Sequence, residues 1–167
     1  MNVIFLDVDG VLNSYPYMEN TKGLDYINKD NLKILKKIYN LSNFKIVLSS
    51  TWRILDINRD MERDMYNHLL ENLKSQNIEI IDKTPVLGFN RPLEIRTWLD
   101  NNDVQQFLIL DDDFDVEDYK EYNLENNLIQ TYYFVNNLED GGLQEKHLIL
   151  AKEILKNNSW KNLIKMI

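Results

Sequence analysis

Asp7-Val8-Asp9-Gly10-Val11 places two carboxylates two residues apart, directly after the apolar run Asn2–Leu6 (NVIFL). At a strand end both can turn toward one site, and Gly10 permits a tight exit turn. Acid-x-acid-glycine is common in surface loops. A loop carboxylate, however, gains nothing from following NVIFL, whereas a reactive one gains rigid placement. A second polar cluster, Ser49-Ser50-Thr51-Trp52-Arg53, follows Lys45–Leu48 (KIVL). Its hydroxyls can donate to phosphate oxygens, and the backbone amides that follow can extend the cradle. Ser and Thr at such a place equally suit a helix cap or a turn.

Arg91 precedes Pro92 at the expected start of a helix, where a cation can clamp a phosphate or simply face solvent. Asp111-Asp112-Asp113 follows Phe107–Leu110 (FLIL), with Asp115 close behind. Acidic runs are commonly solvated. Three carboxylates held against a buried strand repel one another unless a cation joins them. Magnesium takes one or two carboxylates together with waters and substrate phosphate, so this composition suits it.

The elements that must position these groups alternate between apolar runs and helical stripes, the pattern of a parallel sheet wrapped by helices. Asn2–Leu6 reads as a central strand because it is apolar on both faces. Leu32, Leu35 and Ile38 mark a helix face, then Lys45–Leu48 a strand, then Met61, Met65, Leu69 and Leu73 a second helical stripe. Ile78–Ile81 reads as a third strand. Pro92 opens a helix with Ile95, Trp98 and Leu99 inward. Phe107–Leu110 and Leu128–Thr131 follow as strands, and Leu148, Ala151 and Leu155 mark the last helix. The order β-α-β-α-β-α-β-β-α predicts an α/β fold with a doubly wound, mostly parallel open sheet. Ligands in such sheets sit beyond the carboxyl ends of the strands, where the polar clusters fall.

The 167 residues suffice for a single domain over 1–167 with one sizeable core. With 44% apolar and 28% charged residues the chain reads as globular. The absence of cysteine excludes disulfides, thiolate metal sites and a thiol nucleophile. There is no signal-peptide pattern and no apolar stretch of membrane-spanning length, so a cytoplasmic location without a membrane is expected. The net charge of −8 argues against broad nucleic-acid binding, which needs a basic surface, though a few local cations can still hold one strand end. His68 and His147 fall on helical stretches and read as surface or structural residues. The tail Ser159–Ile167, with Trp160, suits core packing or docking to a partner.

An N-terminal Asp-x-Asp-Gly, a Ser after the second strand, a later cation and Asp-Asp after a hydrophobic strand occur here in one order. That order resembles the haloacid dehalogenase (HAD) superfamily of phosphohydrolases. More closely, FLDVDGVLN, VLSSTWR, RPLEIRTWL and LILDDD look like the HAD domain of bacterial multifunctional RNA-repair proteins. LIQTYYF and GGLQEKHLILAKEIL are similar to that family's closing strand and helix.

The resemblance implies that Asp7 is the nucleophile and a Mg2+ ligand. Asp9 would be the general acid/base and would reach the metal through its backbone carbonyl. Ser50 would bind phosphate, with Ser49 as the fallback. Asp112 would hold the metal, and Asp111 would do so directly or through water. The superfamily usually has Lys in its third motif. Arg91 is the best-placed residue here and can hold phosphate bidentately, with Lys83 and Arg96 as alternatives.

A Rossmann-like HAD core without a large cap domain is expected, because only Tyr15–Asp25 is left over as a small flap between the first two motifs. An open site of that kind suits phosphorylated RNA or DNA ends, with Arg53 and Arg91 as the local cations. Free nucleotides and sugar phosphates are the smaller alternatives. A receiver-like module would place its lone Asp after the acidic pair and end on Lys, and this chain does neither. An inactive metal-binding relative lacks support because every required group is present. A P-loop kinase is excluded by the lack of a Gly-x-x-x-x-Gly-Lys loop.

Overall fold

The computed structural model describes residues 1–165, with side chains described through residue 158. The question of what Trp160 and the tail 159–167 pack against therefore lies outside the described side chains. The sheet has five strands, all parallel: β1 (Asn2–Leu6), β2 (Lys45–Leu48), β3 (Ile80–Lys83), β4 (Gln106–Asp111) and β5 (Leu128–Gln130). Their order across the sheet is β3-β2-β1-β4-β5. The chain thus builds outward from β1 in one direction, then returns to β1 and builds the other way. The crevice between β1 and β4 is the topological switch point at which doubly wound sheets bind ligands.

Both faces of β1 are covered, as its unbroken apolar run implies. Ile4 and Leu6 point into a core shared with Leu32, Leu35 and Ile38 of α2 (Lys29–Tyr39). Leu69 and Leu73 of α3 (Asp60–Ser75) and Leu148, Ala151 and Ile154 of α6 (Glu145–Lys165) complete it. Val3 and Phe5 point the other way, against Ile95, Trp98 and Leu99 of α4 (Arg91–Asp100) and Tyr119 of α5 (Val116–Lys120). Phe5 meets Trp98 edge to face at 5.4 Å. The two-residue period of a strand divides one short run between two cores.

Local signals place the helices around this sheet. Asn28 caps α2, its side chain accepting from the Asp30 N–H at 2.9 Å. Asn90 caps α4, accepting from the Leu93 N–H at 3.2 Å, and Pro92 occupies the first turn. Tyr15–Asp25, expected to be a small flap, contains the short helix α1 (Tyr15–Asn20). Among the described residues no domain is inserted between the strands, so the core carries no cap.

Two boundary expectations need correction. The third strand runs over Ile80–Lys83 rather than Ile78–Ile81, because Ile78 is buried in the core as a loop residue ahead of it. Met61, expected on the inner stripe of α3, is mostly exposed, since the first turn of that helix projects beyond the core. Among the described residues no helix is long and apolar enough to cross a membrane.

Candidate active site

The parallel register brings three motif residues to one level. Leu6 of β1 pairs with Leu48 of β2 and with Leu110 of β4. The next residues along are therefore Asp7, Ser49 and Asp111. The Asp7 N–H donates to Leu110 O and the Ser49 N–H to Leu6 O, both at 3.0 Å. Hydrogen bonds of the sheet itself thus set the spacing of these three polar groups.

Asp7, Asp111, Asp112 and Asp113 each present a carboxylate oxygen within 4.8 Å of the others. One cation stands among them. Arg91 Nη1 donates to Asp7 Oδ2 at 2.5 Å and also to Asp111 Oδ1, while Nη2 reaches Asp113 Oδ2 at 3.4 Å. Its guanidinium lies over the Phe114 ring, 5.5 Å from the centroid. Asp111 also accepts from the buried Tyr119 hydroxyl at 2.6 Å. Among the described residues Arg91 is the one cation paired with any of these four carboxylates.

That imbalance appears in the titration of the site. Burial, then the charges of Asp111 and Asp112, hold the Asp7 carboxyl well above the ordinary carboxylate range, and Arg91 only partly offsets this. Burial, then Asp113 and Asp111, pushes Asp112 up to about 7. Arg91 moves the opposite way: burial disfavours its charge, but Asp7 and Asp111 outweigh burial and hold it more firmly protonated. Asp112 Oδ1 is buried with no hydrogen-bond partner among the described residues. All-oxygen donors, excess negative charge and an orphaned carboxylate oxygen fit a hard divalent cation.

Gly10 explains how Asp112 comes so close. Its φ of +70° is left-handed, and a Cβ added there would lie 2.1 Å from the Asp112 carboxyl carbon. Only glycine lets the turn after β1 lie against the acid that follows β4.

Asp9 faces outward and its carboxylate is not part of the four-acid cluster. Trp52 Nε1 donates to Asp9 Oδ2 at 2.8 Å and Asn13 Nδ2 to Asp9 Oδ1 at 3.0 Å. Asn13 is fixed in turn by the Gly10 N–H at 3.0 Å and by Tyr26 O. Both carboxylate oxygens are thus aimed, yet each keeps a lone pair for a further partner.

Ser50 caps the 3-10 turn Thr51–Ile54, its Oγ accepting from the Trp52 N–H at 3.2 Å, and its hydroxyl also lies beside Asp7. Ser49 Oγ is buried without a partner among the described residues. The hydroxyl cluster therefore both caps a turn and faces the acidic site.

Other expectations need correction. Arg53, expected to be a local cation for phosphate, is buried and fully engaged. Its Nε donates to Thr84 O, Nη1 to Ser49 O and Ser50 O, and Nη2 to Pro85 O and Glu94 Oε2, the last at 2.7 Å. Five donors meet five acceptors, leaving none for a substrate. Arg96 lies at the surface, paired with Asp100. Lys83 reaches Arg53 O and sits over the Tyr66 ring, 4.7 Å from its centroid. Of the three candidates for the third motif, Arg91 alone contacts the acids.

The two histidines have structural partners. His68 Nε2 lies 2.9 Å from Asp25 Oδ1, and buried His147 accepts the Gln144 N–H at 2.8 Å through Nδ1. Asn13, Trp52 and Tyr119 hold the site without a role that the sequence assigns them, and Asp113, one of the three acids expected to share a cation, extends it. The first two lie inside the motif strings FLDVDGVLN and VLSSTWR, which is where a signal existed.

A cavity of about 310 Å³ beside Arg91 is lined by Thr51, Phe89, Asp113 and Phe114 among others. A larger one of about 430 Å³, between α2 and the start of α6, contains none of the clustered acids and has no part in this chemistry.

The model of one protein family, described as the HAD domain in Swiss Army Knife RNA repair proteins, matches residues 3–147. No curated protein and no solved structure gives a match to the chain.

Proposed function

The chain belongs to the family of HAD domains in Swiss Army Knife RNA repair proteins, and from that premise we propose that it is a magnesium-dependent phosphomonoester hydrolase acting on phosphorylated RNA or DNA ends or nucleotides. The observation that carries this reading is the cluster of four carboxylates around one arginine at the β1/β4 switch point. Asp7, Asp111 and Asp112 would hold Mg2+ through their carboxylates, and Asp9 through its backbone carbonyl. Bound there, the ion would neutralise both these acids and the phosphate oxygens.

The protein's own groups account for the remaining steps. An Asp7 carboxylate oxygen bonds to phosphorus as the bond from phosphorus to the leaving oxygen breaks. Asp9 gives its proton to that oxygen. Asp9 then takes a proton from a water whose oxygen attacks phosphorus, which breaks the bond to Asp7 and releases inorganic phosphate. Trp52 and Asn13 aim Asp9 for both transfers. Ser50 and Arg91 grip phosphate oxygens, Arg91 with the fork that suits them bidentately. Phosphoryl transfer asks chiefly for such positioning and charge neutralisation.

The absence of a cap supports a large or extended substrate, for which a roof over the site would be an obstacle. The test is a phosphate-release screen, with and without magnesium at one fixed salt, over nucleotides, sugar phosphates and oligonucleotides with 3′- or 5′-phosphate ends. Magnesium-dependent release favouring the nucleic-acid substrates is expected. No release from any substrate would overturn the reaction, and a clear preference for sugar phosphates would overturn the substrate class.

A further inference from the structure

Three aromatic residues form a cluster at the edge of the site that the core does not need. The Thr131 N–H donates to Asp111 O at 2.9 Å, so Tyr132-Tyr133-Phe134 leaves the sheet directly beside the acidic cluster. Tyr15 arrives from the other side, two residues after Asn13, the residue that aims Asp9. The Tyr15 N–H donates to Tyr133 O at 2.9 Å and joins the two segments. Tyr133 and Phe134 meet edge to face with centroids 4.9 Å apart, and Tyr15 lies tilted against Phe134 at 5.7 Å. Phe134 is 80% exposed and Tyr15 43%. An edge-to-face pair leaves faces of one ring clear of the other.

The backbone beneath these rings is held. The Gly142 N–H donates to Tyr132 O at 3.1 Å, and Gly141 packs so tightly on Ser14 that a Cβ there would lie 2.2 Å from the Ser14 Cβ. Asp9 and Asp112 are near enough to add to burial in raising the Tyr133 phenol above its ordinary range. The Tyr133 hydroxyl is therefore within reach of the charge on the acid that would protonate the leaving group.

The geometry points to a nucleobase-stacking platform, formed by Tyr15, Tyr133 and Phe134, that receives the base adjoining the phosphate to be removed. This rests on the phosphohydrolase reading and adds how the leaving group is recognised. Exposed aromatic faces suit a flat π-system, and base stacking is tolerant of sequence. A net charge of −8, with every Arg53 donor engaged inside the protein, leaves little long-range attraction for a polyanion. Stacking supplies affinity that salt screens little. A pre-held platform also loses little freedom on binding.

The test compares a phosphate-terminated trinucleotide with the same molecule carrying an abasic terminal residue, and a nucleoside monophosphate with ribose phosphate. Wild type, Phe134→Ala and Phe134→Trp are measured in parallel. The base is expected to raise kcat/KM roughly tenfold, chiefly through KM. That advantage should collapse toward unity in Phe134→Ala and persist in Phe134→Trp. If the monophosphate shows the full advantage, free nucleotides suffice; if only the trinucleotide does, the strand end is recognised. Equal kcat/KM with and without the base, an unchanged ratio in Phe134→Ala, or preference for a phosphotyrosine peptide would overturn the platform. Anisotropy of the labelled trinucleotides on Asp7→Asn protein in magnesium reads binding without turnover. A base-dependent Kd in the absence of hydrolysis by wild type would overturn the reaction while sustaining the platform. A Kd indifferent to the base would overturn the platform whatever the turnover.

Discussion

Arg91 Nη1 stands 2.5 Å from Asp7 Oδ2, with both side chains buried, so the chain's own cation contacts the acid that would attack phosphorus. The same guanidinium also contacts Asp111. Removing it leaves buried carboxylates facing one another without a counter-charge. Breaking a buried pair in this way costs about 3–5 kcal/mol.

Arg91→Ala should therefore lower the melting temperature of the metal-free protein by about 10 °C. Added magnesium should recover much of that loss by replacing the missing charge. Arg91→Lys should retain more stability but lose the bidentate grip, and so show a raised KM. Thermal unfolding with and without magnesium checks this. Equal destabilisation in both conditions would mean that the arginine and the metal do not serve the same acids.

Asp7→Asn should abolish phosphate release, by about 10³-fold or more, because an amide oxygen cannot form the covalent link. Its metal-free melting temperature should equal or exceed that of wild type, since burial and neighbouring acids already disfavour the Asp7 charge. Release retained within about tenfold would remove Asp7 from the role of nucleophile.

Asp112 ties stability to pH. Its folded value of about 7, raised by burial and then by Asp113 and Asp111, exceeds the ordinary 3.8. A raised value gives stability that is full below 3.8 and lost as pH rises through about 7. Asp9 adds to the rise and Arg91 opposes it. The metal-free protein should therefore lose part of its stability across that window. Magnesium needs the ionised form, so the stabilisation it confers should grow over the same window. Asp112→Asn should flatten both trends in melting curves taken at several pH values. Unaltered trends would place the metal elsewhere.

Gly10→Ala alters no reactive atom, yet its Cβ would occupy the space of the Asp112 carboxylate at a backbone φ of +70°. It should cost about 1–3 kcal/mol of stability and remove most of the magnesium-induced rise in melting temperature. A variant that keeps the full magnesium response would show that the turn after β1 does not position the metal site.

Much of this architecture was legible because buried strands announce themselves. NVIFL, KIVL and FLIL are apolar on both faces, and the first polar residues after each, Asp7, Ser49 and Asp111, arrive at one level across the sheet. Helices α1 and α5, at six and five residues, are too short for a 3.6-residue period to register. Ile78 looked like strand because burial alone does not separate a core loop residue from a paired one. Arg53 departs from its expected role for a different reason. Its charge is local in sequence, but its partner Glu94 lies 41 residues away, and only folding shows that all its donors are engaged inside the protein. The link from Trp52 to Asp9 spans 43 residues and was hidden for the same reason.

The position of β1 between β2 and β4 also sets a schedule for synthesis. As the chain leaves the ribosome, β1 can pair with β2 early, but its other edge waits for roughly 60 further residues before β4 emerges. At ~5–20 residues per second that wait is on the order of 3–12 s. Throughout it, the open side of NVIFL is an unpaired apolar edge able to template association with another chain. The acids themselves are safe from mutual repulsion during this interval, because Asp7 has emerged and Asp111 has not. The electrostatic burden of the site and the covering of the second edge of β1 therefore arrive together, with the completion of β4.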